Sequence, residues 1–165
     1  MSKLLEKARS YETEKIAVTD KTTKPLFHIS APAGWINDPN GFSVYNGKIH
    51  LFYQYYPYQR EWGPMHWGHS TTSDMIKWEQ LECALAPDEE YDKIGCFSGS
   101  AIEADGKHVL VYTGVTKIKM PDGSEQERQN QCIAFGDGLN YEKYENNPVV
   151  TGDMLPENCS RIDFR

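Results

Sequence analysis

The densest group of chemically useful side chains in the sequence is Trp35-Ile36-Asn37-Asp38-Pro39-Asn40-Gly41. Asp-Pro and Asn-Gly are turn dipeptides, so a simple turn accounts for Pro39, Asn40 and Gly41. A turn does not require the Trp35 indole or the Asn37-Asp38 pair. Asp38 is therefore the carboxylate to follow, and a carboxylate's chemistry is nucleophilic attack or general acid–base work. Aromatic rings surround it in sequence. The chain has 10 Tyr, 6 Phe and 4 Trp, and many lie between Trp35 and Trp78. Rings favour strands, so a β-sheet core accounts for most of them. A ring face also packs on sugar C–H groups, which makes a sugar site the second use for such a cluster.

Other polar groups have simpler explanations. His66 and His69 are three apart, and on a strand that spacing points them to opposite faces. A shared metal is not expected, and neither is a cofactor. Asp88, Glu89, Glu90 and Asp92 read as a solvated acidic turn rather than a calcium site. Residues 117–130 read as a polar loop around Pro121-Asp122-Gly123.

The elements that must position Asp38 are strands. Residues 3–15 predict one helix, with Leu4, Leu5, Ala8 and Tyr11 on its apolar face. Residues 16–33 contain Pro25 and Pro32 and read as an irregular lead-in, which sets a division into residues 1–33 and 34–165. After that, strand-like runs alternate with turns. The segment 41–54 matches 100–113, with turn glycines Gly47 and Gly106 and tyrosines Tyr53 and Tyr112 each 59 positions apart. Both turns carry the Asn-Gly or Asp-Gly hairpin signature. Ser73–Trp78 similarly answers Gly136–Tyr141, and Pro87 answers Pro148. Each unit contains two successive hairpins, or four strands, the sequence form of a β-propeller blade. A pair of packed four-stranded sheets is the alternative. Asp38, Phe97-Ser98 and Arg165 each open a unit, so the chain reads as two blades and the start of a third, part of a longer protein. An open propeller leaves blade faces and strand edges bare, so the chain alone is expected to be unstable.

Composition narrows the partners. The 165 residues carry 24 acidic and 17 basic side chains, a formal charge of −7, which argues against a nucleic-acid groove. No run approaches the ~18 apolar residues of a membrane helix. The first residues lack the apolar core of a secretory signal, which predicts a cytoplasmic protein. The four cysteines (Cys83, Cys96, Cys132 and Cys159) have no CxxC spacing and are expected as free thiols.

Trp35–Gly41 resembles the nucleophile motif of glycoside hydrolase family 32, the β-fructofuranosidases. Four further segments are similar in the same order: Phe52–Pro57, Trp62–His69, Gly95–Ala101 and Phe164-Arg165. The resemblance implies an all-β, five-bladed propeller followed by a β-sandwich. It implies hydrolysis of terminal β-D-fructofuranosides, with sucrose or sucrose 6-phosphate as the expected small-molecule substrate. It makes Asp38 the nucleophile of a retaining mechanism, which needs a second carboxyl about 5–5.5 Å away. Asn37 and nearby backbone N–H groups are expected to hold Asp38 ionised. Asn37, Gln54, Ser98 and Arg165 are implied to bond the fructosyl hydroxyls. Trp35, Trp62 and Phe97 are implied as apolar walls, with Ile36 in the same contact set. Two departures stand out. The family's carboxylate after Phe-Arg has no counterpart before the sequence ends at Arg165. Glu82-Cys83 mimics the family's acid/base dipeptide, but its flanks do not match, so it is not expected to act. An inactive remnant or a sugar-binding fragment is the alternative to an enzyme, and an arabinan-cleaving relative is a third reading.

Overall fold

The computed structural model describes residues 1–20, 22 and 24–156. A helix, α1 (Lys3–Val18), precedes eight strands. Strands β1 (Trp35–Tyr45), β2 (Lys48–Tyr56), β3 (His66–Thr72) and β4 (Glu79–Leu85) form one antiparallel sheet in sequence order. Strands β5 (Gly95–Ala104), β6 (Lys107–Lys119), β7 (Glu125–Gly136) and β8 (Tyr141–Lys143) form the second in the same order. The first strands of the two meanders, β1 and β5, lie against each other. These are two propeller blades side by side. A short 3-10 helix follows at Gly152–Met154. The expected opening of a third unit, Asp163 to Arg165, lies outside the described residues.

The repeat seen in the sequence is present in atomic detail. The β1–β2 turn puts Asn46 and Gly47 at φ 49° and 72°, and the β5–β6 turn puts Asp105 and Gly106 at 50° and 73°. Two consecutive left-handed residues match the twist of the flanking strands, which is why Asn-Gly and Asp-Gly occupy them. The β3–β4 and β7–β8 turns also coincide. Asp74 Oδ1 accepts from the N–H groups of Ile76 and Lys77 at 2.9 and 2.8 Å. Asp137 Oδ1 accepts from Leu139 and Asn140 at 2.9 and 2.7 Å.

Strand alternation divides β2 between two cores. His50, Phe52 and Gln54 face the second blade, while Tyr53 and Tyr55 face α1. Between the blades, Phe52, Trp67 and Leu85 pack on Cys96, Leu110, Tyr112 and Tyr141. Three buried imidazoles join this layer. His69 Nε2 and His50 Nδ1 share a hydrogen bond of 2.9 Å, and His108 bonds Tyr141 Oη at 2.8 Å and Ser43 Oγ at 2.9 Å. Burial lowers the pKa of all three, so they remain neutral near neutral pH. Beneath α1, Leu5 and Ala8 pack on Tyr53, Tyr55, Cys83 and Ala86.

The helix runs three residues beyond the expected 3–15, and its buried face differs from the apolar stripe. Leu5, Ala8, Arg9 and Glu12 are buried, whereas Leu4 is 43% exposed. The reason is the open edge of β4, which presents unpaired backbone groups. Arg9 Nε donates to Cys83 O at 3.0 Å, and Cys83 N donates to Glu12 Oε2 at 3.0 Å. One side-chain pair thus closes both polar groups of an edge residue.

Two loop expectations are also corrected. Residues 117–130 are mostly strand, not loop. The β6–β7 ladder continues to Lys119↔Glu125, with only Met120–Ser124 left as the turn. Polar side chains outside a core hid its alternation, and cross-strand pairs such as Lys117–Glu125 at 3.4 Å support it. The acidic turn is not fully solvated either. Asp92 is entirely buried, and Lys143 Nζ of β8 reaches Asp92 at 2.6 Å, Asp88, and Ala86 O at 2.7 Å. Burial alone would lower the Lys143 pKa, but Cys96, Asp92 and Asp88 beside it outweigh burial and raise it.

Glu12 gives this scaffold a testable pH dependence. Burial pushes its carboxyl from an ordinary 4.5 up to about 7. The folded state therefore binds this proton more tightly than the unfolded chain. The resulting stabilisation is complete below pH 4.5 and is lost as pH rises through 7. Glu12→Gln keeps an acceptor for Cys83 N–H but cannot ionise. Between pH 5 and pH 8 it should gain roughly 1–3 kcal/mol relative to wild type in urea titrations. A stability difference independent of pH would show that Glu12 does not titrate in this window.

Candidate active site

The carboxylate of interest sits on an irregularity. On β1, the register shifts between Ile36 and Pro39, so Asn37 and Asp38 occupy a bulge opposite β2. A second shift follows between Asn40 and Ser43. On β5, the register shifts between Phe97 and Gly99, leaving Ser98 in the corresponding place on the other blade. A bulge kinks its strand and re-aims the extra side chain, which regular pleating would not do. Pro39 helps by withholding a backbone donor immediately after Asp38. Gly41 permits the second shift. Its φ is +52°, and a Cβ there would lie 2.7 Å from Phe52 Cδ2.

The start of β5, just before the Ser98 bulge, is tied to β2 and β3 across the blade boundary. Cys96 N donates to Met65 O at 2.8 Å, Gln54 Nε2 donates to Cys96 O at 2.9 Å, and Trp67 Nε1 donates to Phe97 O at 3.1 Å. The Trp62 and Phe97 rings meet edge to face at 6.1 Å between centroids. Asn37 and Asp38 are exposed, Trp35 and Phe97 are half-buried, and Trp62 is 55% exposed. Ile36 borders on exposed, while Ser98 and Gln54 are buried at 8% and 3% exposure. The two bulges, with Gln54 of β2 and the Trp62 segment, thus bring together a free carboxylate, hydroxyl and amide groups, and three rings with accessible surface. Such a set suits binding a polyhydroxylated ring and attacking it.

The other residues singled out in the sequence are placed as follows. Asn37 Oδ1 accepts from Trp35 Nε1 at 2.7 Å, so it steadies the indole and leaves only its NH₂ as a donor. Arg165 lies outside the described residues. Glu82 is on the outer strand β4, 3.1 Å from Arg9 Nη1, and belongs to the helix contact. His66 Nδ1 bonds Pro64 O at 2.8 Å, and burial lowers its pKa to about 4, so it is neutral and no acid near pH 7. His69 Nε2 is bonded to His50 Nδ1 instead. Among the described residues no group of His, Cys, Asp or Glu is placed to hold a metal.

One residue escaped the sequence reading. Asn40 looked like turn chemistry, yet it is 3% exposed, and its amide, turned so that its nitrogen faces Pro39 O and its oxygen faces Gln54, is engaged on both sides. The available signal was the coincidence of two amides, Asn40 and Gln54, in the two segments that flank one strand pair.

The glycosyl hydrolases family 32 N-terminal domain model matches residues 28–165. A sucrose-6-phosphate hydrolase of Escherichia coli is 48% identical over 123 residues, covering 74% of this chain and 26% of that protein. The Bombyx mori GH32 β-fructofuranosidase BmSUC1 superposes with a TM-score of 0.82 at 42% identity, over 96% of this chain and 32% of that one. An alanine variant of the same enzyme, in complex with sucrose, gives 0.80 at 44% identity over 93% and 31%. The chain therefore spans about a quarter to a third of the length of the relatives it matches.

The bulge geometry predicts a contrast between two glycines of similar φ. Gly41→Ala meets Phe52, Trp67 and Ala101 within 3.2 Å, whereas Gly47→Ala, at φ +72°, meets open space. Gly47→Ala should cost about 1–2 kcal/mol for its left-handed backbone alone. Gly41→Ala should cost about 1–3 kcal/mol more through overpacking, read as a lower denaturant midpoint. Equal losses would mean that the blade seam adapts freely at Gly41.

Proposed function

The chain belongs to glycosyl hydrolase family 32, and on that premise we propose that the complete protein hydrolyses terminal β-D-fructofuranosides, with sucrose or sucrose 6-phosphate as substrate. The observation that carries this reading is the position of Asp38 in a bulge of β1, with β1 packed against β5, the strand of the next blade that carries the Ser98 bulge.

In this reading Asp38 attacks C2 of the fructosyl unit while the bond from C2 to the leaving oxygen breaks. A general acid gives that oxygen its proton, and a fructosyl ester forms on Asp38. Water, activated by the same group as base, then cleaves the ester with net retention. Glu82 is unsuited to be that acid, since it pairs with Arg9 on an outer strand. Another carboxyl must therefore supply the proton. Trp35, Ile36, Trp62 and Phe97 pack against the sugar. Asn37 donates through its NH₂, Gln54 accepts through its oxygen, and Ser98 offers its hydroxyl. Arg165 completes the set of hydroxyl contacts. A cytoplasmic location fits the unpaired thiols of Cys83, Cys96 and Cys132.

Asp38→Asn in the complete protein should lower kcat for sucrose or sucrose 6-phosphate by roughly 10⁴-fold or more, with the unfolding transition nearly unchanged. Turnover near wild type would remove Asp38 as nucleophile. A wild-type protein that binds fructosides without cleaving them would favour a sugar-binding role, and release of arabinose in place of fructose would change the substrate class.

A further inference from the structure

We propose that Asn40 is a positioning residue for fructosyl transfer, acting through Gln54 to fix the spacing between the Asp38 bulge and the second blade. The proposal rests on the fructofuranosidase reading above. Between its two bulges β1 keeps regular register only at Pro39↔Tyr53 and Asn40↔Phe52. The Asn40 side chain anchors that short regular stretch. The Asn40 amide is assigned the orientation its neighbours require: its nitrogen then donates to Pro39 O at 3.1 Å, and its oxygen accepts from Gln54 N at 3.3 Å and Gln54 Nε2 at 3.0 Å. Gln54 Nε2 spends its other hydrogen on Cys96 O at 2.9 Å. Cys96 is two residues from Ser98. A continuous chain of hydrogen bonds thus runs from the residue after Asp38-Pro39, through Gln54, to the strand that carries Ser98.

The chemistry of this chain is specific to an amide. An amide NH₂ has two donors, and both of those on Gln54 are used within the protein. Its oxygen is the one polar atom of the side chain left for a ligand, so Asn40 and Cys96 together decide that Gln54 meets a sugar as an acceptor. Aspartate at position 40 would keep the acceptor but lose the donor to Pro39 O and place a charge in a buried seat. Alanine would release both the bulge and the Gln54 amide. Reacting atoms displaced by about 1 Å cost on the order of 10²-fold in rate.

The test uses the complete protein and steady-state kinetics on sucrose and sucrose 6-phosphate, at temperatures where circular dichroism shows each variant folded. Asn40→Ala and Asn40→Asp should each lower kcat by about 10–100-fold, a larger factor than any rise in KM. Groups that act as a unit are non-additive, so Asn40→Ala/Gln54→Ala should be little worse than the worse single variant. Wild-type kcat in the folded Asn40 variants overturns the proposal, and so do independent losses that multiply in the double variant. A wild-type protein that hydrolyses neither fructoside overturns the parent reading and this proposal with it. An active wild type with additive variants overturns this proposal alone.

Discussion

The carbonyl oxygen of Cys96 takes an amide hydrogen from Gln54 of the other blade at 2.9 Å, while the Cys96 N–H is taken by Met65 O at 2.8 Å. Both polar groups of this fully buried residue are thereby satisfied across the blade boundary. A buried backbone group left unpaired costs about 1–3 kcal/mol, so the seam tolerates little displacement. The Trp67 indole adds a third tie, to Phe97 O at 3.1 Å. Two propeller blades can pack through apolar contacts at many relative positions. These three directional bonds select one, and with it the relation between the Asp38 bulge and the Ser98 bulge.

The structure uses its other buried charges for the same kind of task, away from the inner strands. Arg9 and Glu12 close the edge of β4, and Lys143 ties Asp88 and Asp92 between the blades. Removing Lys143 would leave the buried Asp92 carboxylate uncompensated, which is far more costly than losing a surface ion pair. Asp38, in contrast, is exposed and carries no hydrogen bond or ion pair among the described residues. Charge is neutralised where it holds the fold and left available where a sugar would be attacked. The exposed Phe42 and Val44 on β1 and Ile102 on β5 are a further consequence of the propeller, since each inner strand also has a face turned away from this blade pair.

The features legible in the sequence are those decided by neighbouring residues. Asn46-Gly47 and Asp105-Gly106 announce their turns because few other pairs adopt two left-handed conformations. The 59-residue spacing then gives the repeat, and the repeat gives the blades. The Asp38 motif stood out because turn chemistry explains only half of it. The features that were not legible are settled by partners distant in sequence. The buried face of α1 is rotated toward Arg9 and Glu12 by the edge of β4. Asp92 is buried because Lys143 lies 51 positions away in sequence and 2.6 Å away in space. Asn37 serves Trp35 rather than Asp38, and the 107–136 hairpin is long although its tip has no apolar alternation. Asn40 is the instructive case, because its turn propensity concealed a tertiary role.

The central claim is that the bulged inner strand delivers Asp38 as a nucleophile to a fructosyl unit bound at the blade seam. The most direct measurement is rapid acid quenching of the complete protein during turnover of sucrose, followed by peptide mass spectrometry. A fructosyl ester mapped to Asp38 within residues 35–41, and absent from Asp38→Asn, is the predicted result. An ester on another carboxylate, or turnover with inversion and no covalent adduct, would contradict the account.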